Sequence, residues 1–244
     1  MQTFVEKLND LDSKIINLKK KVAANAGINE NSQDSRLVAF SGMSQAFLGC
    51  KFWLNSYINI ADRNSTELAI VDYSGSSLPL KETSRLMMNQ LRLGAALLFH
   101  FKLENLFDCL YLKLSKKKIP ISVLDKFKEI SKIIELENTD RLLEIIKAFL
   151  SIRNTLHNNG IHNRATFLLI VSGTKYLFEN GKVAQCCSLP HIITLFNEIL
   201  GILEAIFENK KIVEIKGFIP DAYGAWISEE VDMRSLDRFG LSSI

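Results

Sequence analysis

Residues 151–162 read Ser-Ile-Arg-Asn-Thr-Leu-His-Asn-Asn-Gly-Ile-His and follow a strongly apolar helical run, residues 142–150. They gather one guanidinium, three side-chain amides and two imidazoles. Arg153 and His157 stand four positions apart, which on an α-helix separates them by about 40° and sets them on one face. An imidazole titrates near neutral pH, so His157 can take or give a proton there. A guanidinium presents paired N–H donors that match phosphate oxygens, which suits Arg153 to a phosphodiester. Cleaving RNA without a metal needs a base for the 2′-hydroxyl proton and an acid for the leaving 5′-oxygen. It also needs a cation for the charge that develops on the phosphorane oxygens. One Arg/His pair supplies part of that set. Two pairs facing each other across a homodimer would place two imidazoles and two guanidiniums around one phosphate. The plainer reading is a helix end whose positive side chains complement the dipole.

The elements around this stretch decide between the two. Asn159-Gly160 is a helix stop, with Gly160 free to take the left-handed conformation. Residues 81–114 read as the longest helix, densely apolar over 91–112, with Thr83 or Ser84 available as its cap. Its polar residues Arg92, His100, Glu104 and Asp108 fall on one stripe. A lone histidine on an apolar helix is most often a satisfied core residue, which is the first reading of His100. Glu104 needs a partner, because a carboxylate turned toward a core is costly to desolvate alone. Arg153 is the expected one.

Residues 4–24 form an amphipathic helix with a basic end, Lys19 to Lys21. Residues 35–61 form a second helix that is apolar nearly all round near 47–54, which suggests burial or a subunit contact. Residues 63–80 read as a long loop, 116–120 as a basic turn and 121–136 as a shorter helix. The helix of the opening stretch begins near Asn138, with Thr139 and Asp140 as candidate N-caps. Beyond Gly160 the period becomes that of β structure. Ser172-Gly173 and Asn180-Gly181 are hairpin turns between three short strands within 167–186. Ser188 then caps a final long helix that runs to about residue 209. An apolar run (212–219), a Pro-Asp turn and a helical piece near 226–236 close the chain. The expected fold is all-α: a single helical domain over 1–244, a bundle with a small antiparallel β-hairpin or meander (166–187) before the last long helix.

With 244 residues, 47% hydrophobic and 23% charged, the chain can bury a proper core. Its net charge of +3 is too small to imply nucleic-acid binding by itself, so any RNA contact must rest on local charge. The N-terminus mixes acids with its apolar residues, and polar residues interrupt the longest apolar tracts. The expectation is therefore a cytoplasmic chain with no secretory signal and no membrane span. Cys50, Cys109, Cys186 and Cys187 are scattered and read as reduced, buried thiols. Neither a phosphate-binding glycine loop, a zinc-ligand spacing nor a G-x-S-x-G elbow occurs, so no cofactor or metal is expected.

An R-N-x-x-H-N-N-G ending on a core helix, followed by a β-hairpin and another long amphipathic helix, resembles the HEPN superfamily. The resemblance spans residues 81–210; residues 1–80 and the extension 211–244 lie outside it. It implies an all-α bundle and a metal-independent endoribonuclease that cuts RNA at a composite site near a homodimer interface. It also implies a toxin or anti-phage defence effector, paired with an antitoxin or another defence-system protein. Carried onto this chain, Arg153 holds the phosphate, Asn154 is its polar neighbour and His157 is the catalytic imidazole. Glu104 is the acid of the preceding core helix that orients the arginine. Three residues separate Arg153 from His157, fewer than is usual in the family. His162 is the alternative imidazole if the chain folds back at Gly160, with Asn158 and Asn159 beside it. Lys116, Lys117, Lys118 and Arg164 would contact RNA. Relatives that bind nucleotides, RNA or proteins without cutting supply the alternative, a non-catalytic binding or dimerisation module.

Overall fold

The computed structural model describes residues 2–62, 80–115 and 122–220. Within them the chain is mostly helical, with one two-stranded antiparallel sheet. The order is α1 (Gln2–Ala26), α2 (Ser35–Asp62), α3 (Leu80–Ser115), α4 (Val123–Ile134) and α5 (Thr139–His157). There follow β1 (Phe167–Val171), β2 (Thr174–Phe178), a short 3₁₀ turn (Gln185–Cys187), α6 (Leu189–Glu208) and α7 (Lys210–Val213). The expected loop at 63–80, apart from Leu80, which opens α3, the basic turn at 116–120 and the helical piece near 226–236 lie outside the described residues.

Each helix buries the stripe that its spacing marks out. In α1, Leu8, Leu11, Ile15, Leu18 and Val22 face inward. In α6 the inward residues run from Leu189 to Phe207. By length and composition α6 is apolar enough to cross a membrane. Here its apolar residues form the middle of the core.

Where α2, α3, α5 and α6 meet, Phe47, Phe99, Phe149 and Phe196 pack ring on ring. Phe99 lies 4.5 Å from Phe196, 5.6 Å from Phe149 and 5.8 Å from Phe47. Each such pair adds about 0.5–1.5 kcal/mol beyond the area it buries. The cluster locks α3 against α5, and this register brings His100 within the field of the Arg153 charge.

Three local expectations change. Neither Thr139 nor Asp140 caps α5: Asn138 holds that position at φ 54° with no side-chain cap, and the Thr139 hydroxyl donates to the Leu136 carbonyl at 2.7 Å. Ser188 holds the N-cap of α6 as expected, but its hydroxyl meets His191 Nδ1 at 2.6 Å instead of a backbone N–H. The third strand does not form. After Gly181 (φ 73°) the chain turns away from β2 and pairs with the residues that follow α5. His162 N–H donates to the Lys182 carbonyl (3.0 Å), Gly181 N–H to the His162 carbonyl (2.7 Å) and Ala184 N–H to the Gly160 carbonyl (3.0 Å). One isolated bridge, Ile161 to Val183, is all the β structure that this segment makes.

The start of α2 holds a feature that spacing did not announce. Asp34 and Arg36 are both buried and bonded through two pairs of atoms at 2.8 Å. The Arg36 guanidinium also donates to the carbonyls of Ile215 and Gly217, and the Ile219 N–H donates to Asp34 Oδ2 at 2.7 Å. This pair straps residues 215–219 onto the helix start. Burial pushes the Asp34 carboxyl up, but the Arg36 guanidinium and the Ile219 N–H outweigh it and hold the group below its ordinary value.

Candidate functional site

Two groups of polar residues meet where α3, α4 and α5 pack. The first is an ion-pair ladder between α3 and α4. Lys126 Nζ lies 2.9 Å from Glu104 Oε1 and 2.7 Å from Asp108 Oδ1, and His100 Nε2 lies 3.5 Å from Glu104 Oε2. Lys126 and Asp108 are buried, whereas Glu104 stays partly open. Burial opposes the charge on Lys126, but its two carboxylates raise its pKa. The expected Glu104–Arg153 pair therefore does not form. α4 lies alongside α3 and delivers Lys126 to the carboxylates, while the Arg153 charge on α5 acts on His100. Lys126 could have been read from sequence, since it falls on the inward stripe of Val123, Phe127, Ile130 and Ile134.

The second group is the end of α5. Arg153 is half-buried and its Nη1 donates to Asn154 Oδ1 at 2.8 Å. Its Nε is buried with no hydrogen-bond partner, and it forms no ion pair among the described residues. His157 is exposed in the last turn on the same helix face. The stop is a two-residue left-handed turn, Asn159 at φ 55° and Gly160 at φ 83°, closed by the Gly160 N–H on the Thr155 carbonyl at 2.8 Å. Asn158 and Asn159 are exposed on this turn.

The chain does fold back at Gly160, and it carries His162 into the core. That residue is 2% exposed and packs against the stacked rings of Phe167 and Phe178 at 5.5 and 5.2 Å. Its Nε2 faces the Ala165 carbonyl (3.2 Å), so Nε2 carries the proton and Nδ1 accepts from the Thr155 hydroxyl (3.3 Å). Both ring nitrogens are engaged. His162 thus pins the turn beneath the last helical residues and presents no free nitrogen to a substrate. Thr155→Val removes one of those bonds inside the core, and a urea melt should show a loss of about 1–3 kcal/mol.

His100 is buried, with its Nδ1 unpartnered. Burial first, then the charges of Arg153 and Lys126, hold its pKa below 6.5, against the opposing pull of Glu104. The folded chain thus binds this proton less readily than the unfolded one. The stability it contributes is complete above pH 6.5 and is lost as pH falls through the folded value. Urea midpoints measured from pH 7.5 down to about 5 should fall in the wild type, and by less in His100→Gln.

Arg164 is exposed on the loop before β1. Lys116, Lys117 and Lys118 lie outside the described residues. Among the described residues, no three His, Cys, Asp or Glu side chains gather as metal ligands. All four cysteines are unbridged and buried.

Together these residues place an exposed imidazole and a half-buried guanidinium side by side. Lys126, not Arg153, is the cation that meets Glu104 and Asp108, and Arg153 has no carboxylate partner among the described residues. No family model, no curated protein and no solved structure matches this chain.

Proposed function

We propose that the chain is a metal-independent endoribonuclease of the HEPN type, cutting RNA at a composite site formed by two copies. One observation carries this reading: Arg153 is half-buried without a carboxylate partner among the described residues, next to the exposed imidazole of His157. A partly desolvated cation left unpaired is costly, and a phosphate arriving from solvent would supply the missing charge. In the cleavage step His157 would take the 2′-hydroxyl proton, the 2′-oxygen would attack phosphorus and the P–O5′ bond would break. The second copy's imidazole would protonate the leaving oxygen, and Arg153 would stabilise the equatorial oxygens. A 2′,3′-cyclic phosphate and a 5′-hydroxyl are the products.

Support for two copies comes from the apolar surface of α2 and α3. Phe52 is 66% exposed, and Leu48, Trp53 and Phe101 are about half exposed, with Phe101 adjacent in sequence to His100. In this reading the chain works in the cytoplasm as a toxin or defence effector, restrained by an antitoxin or another partner protein. A second reading, a HEPN-like module that binds RNA, nucleotides or protein without cutting, draws on His162. With that ring locked in the core, a single chain offers one exposed imidazole at this helix end.

The test is incubation of the purified chain with total RNA in EDTA, beside His157→Ala and Arg153→Ala. Cleavage that needs both residues supports the enzyme. No cleavage of any RNA, or equal cleavage by the variants, rejects it; retained RNA binding would then favour the second reading.

A further inference from the structure

Among the described residues the β-hairpin carries an open edge that the ribonuclease reading does not use. β1 and β2 pair with Phe167 opposite Phe178, Leu169 opposite Tyr176 and Val171 opposite Thr174. The connecting residues Ser172 and Gly173 take φ of 47° and 76°, so the two-residue turn is of type I′ and Val171–Thr174 is its hydrogen-bonded closing pair. Bonding then alternates along an antiparallel ladder: Leu169 and Phe167 point their backbone groups at β2, while Leu168 and Ile170 point theirs outward.

On the opposite edge the same parity leaves Lys175 and Leu177 outward, and both are met. The Leu177 carbonyl accepts from Cys186 Sγ at 3.3 Å, and the Lys175 backbone meets the His191 ring. On the β1 edge, the N–H and C=O groups of Leu168 and Ile170 have no partner among the described residues. Their side chains are also out: Ile170 is 67% exposed and Leu168 48%, beside Leu177 at 37%. A free edge bearing exposed apolar side chains is a template for another strand, and natural chains ordinarily blunt it.

Charge selects the occupant. Lys147 lies over the Phe167 ring at 4.8 Å, and Arg164 and Lys175 are exposed nearby. The remaining hairpin charges, Lys182 and Glu179, neutralise each other at 2.8 Å. A second copy of β1 would bring like charges together across the edge. An extended acidic segment would find them complementary.

We infer that β1 is a docking strand, and that its occupant is an extended segment of a partner protein with acidic residues alternating with apolar ones. The segment adds a third strand beside β1. Its backbone meets Leu168 and Ile170, its apolar side chains lie over theirs, and its carboxylates, on the opposite face of the strand, reach Lys147 and Arg164. This inference is independent of the ribonuclease reading.

The probe is a fluorescein-labelled octapeptide alternating Val and Glu, read by anisotropy against the same peptide with Lys for Glu. The acidic peptide should bind about tenfold tighter or better, and the amides of Leu168 and Ile170 should become slow to exchange. Ile170→Pro, which removes an outward N–H, should weaken binding by about tenfold with the circular dichroism unchanged. If that variant does not fold, Ile170→Glu keeps the backbone and repels the acidic peptide, with the same expected loss. Equal binding of the basic peptide, or full affinity in the folded variants, overturns the inference. So does protection of Leu168 and Ile170 that rises with protein concentration alone, which would mark a second copy at the edge. Protection by oligouridylate but not by the peptide would overturn it as well.

Discussion

His157→Ala is expected to lower the rate of RNA cleavage in EDTA by about 10²–10⁴-fold, and Arg153→Ala by about 10²–10³-fold. The first figure is the usual contribution of a positioned general acid or base, and the second that of one electrostatic group at a phosphorane. Both substitutions should leave a folded chain, because His157 is exposed and Arg153, among the described residues, makes a single side-chain hydrogen bond, to its neighbour Asn154. The loss is therefore to be read from initial rates at matched urea midpoints, with 2′,3′-cyclic phosphate ends as the product signature. Arg153→Lys sharpens the result. It keeps the charge but loses the planar fork, so it should fall between wild type and Arg153→Ala if the guanidinium grips phosphate oxygens in pairs. Because the two residues would act on one transition state, the double variant should be little worse than the poorer single one.

Lys126→Met is expected to destabilise the fold by about 3–5 kcal/mol, the usual cost of leaving one partner of a buried ion pair without the other. Lys126 lies between Asp108 and Glu104, and both it and Asp108 are almost wholly out of solvent. Methionine fills a similar volume, so little of the loss comes from packing. Lys126→Met combined with Asp108→Asn removes the charge that Lys126 balanced and should recover part of the loss. A urea series on wild type, the single and the double variants measures it. A single variant as stable as wild type would mean that solvent reaches Asp108, and that the ladder does little to hold α4 on α3.

Much of the helical layout was legible in residue spacing. The α1 stripe, the long apolar α3, the Asn159-Gly160 stop and the Ser172-Gly173 turn are local patterns, because a helix face or a tight turn is specified by residues a few positions apart. What failed was non-local. The Asn180-Gly181 turn forms, but the segment after it finds its partners at Gly160 and His162, some twenty residues back. The α5 caps failed for a smaller reason: the Thr139 hydroxyl was drawn to the Leu136 carbonyl, leaving Asn138 to hold the helix start. The Asp34–Arg36 pair showed no signal, because its remaining partners are backbone groups of residues 215–219 at the far end of the chain.

For the candidate site the division is clear. Sequence alone put Arg153 and His157 on one helix face, since four residues make about one turn whatever surrounds them. It also showed that Glu104 would need a cation. Only the tertiary structure decided which cation. The aromatic cluster packs α5 against α3 so that the Arg153 charge is felt at His100, and α4 brings Lys126 to Glu104 and Asp108. Tertiary structure likewise separated two imidazoles that look alike in the sequence: His162 is drawn into the core by Thr155 and two phenylalanine rings, and His157 is left in solvent. Which histidine is free, and which carboxylate is already neutralised, depends on helices that pack from distant parts of the chain, and no local spacing encodes that.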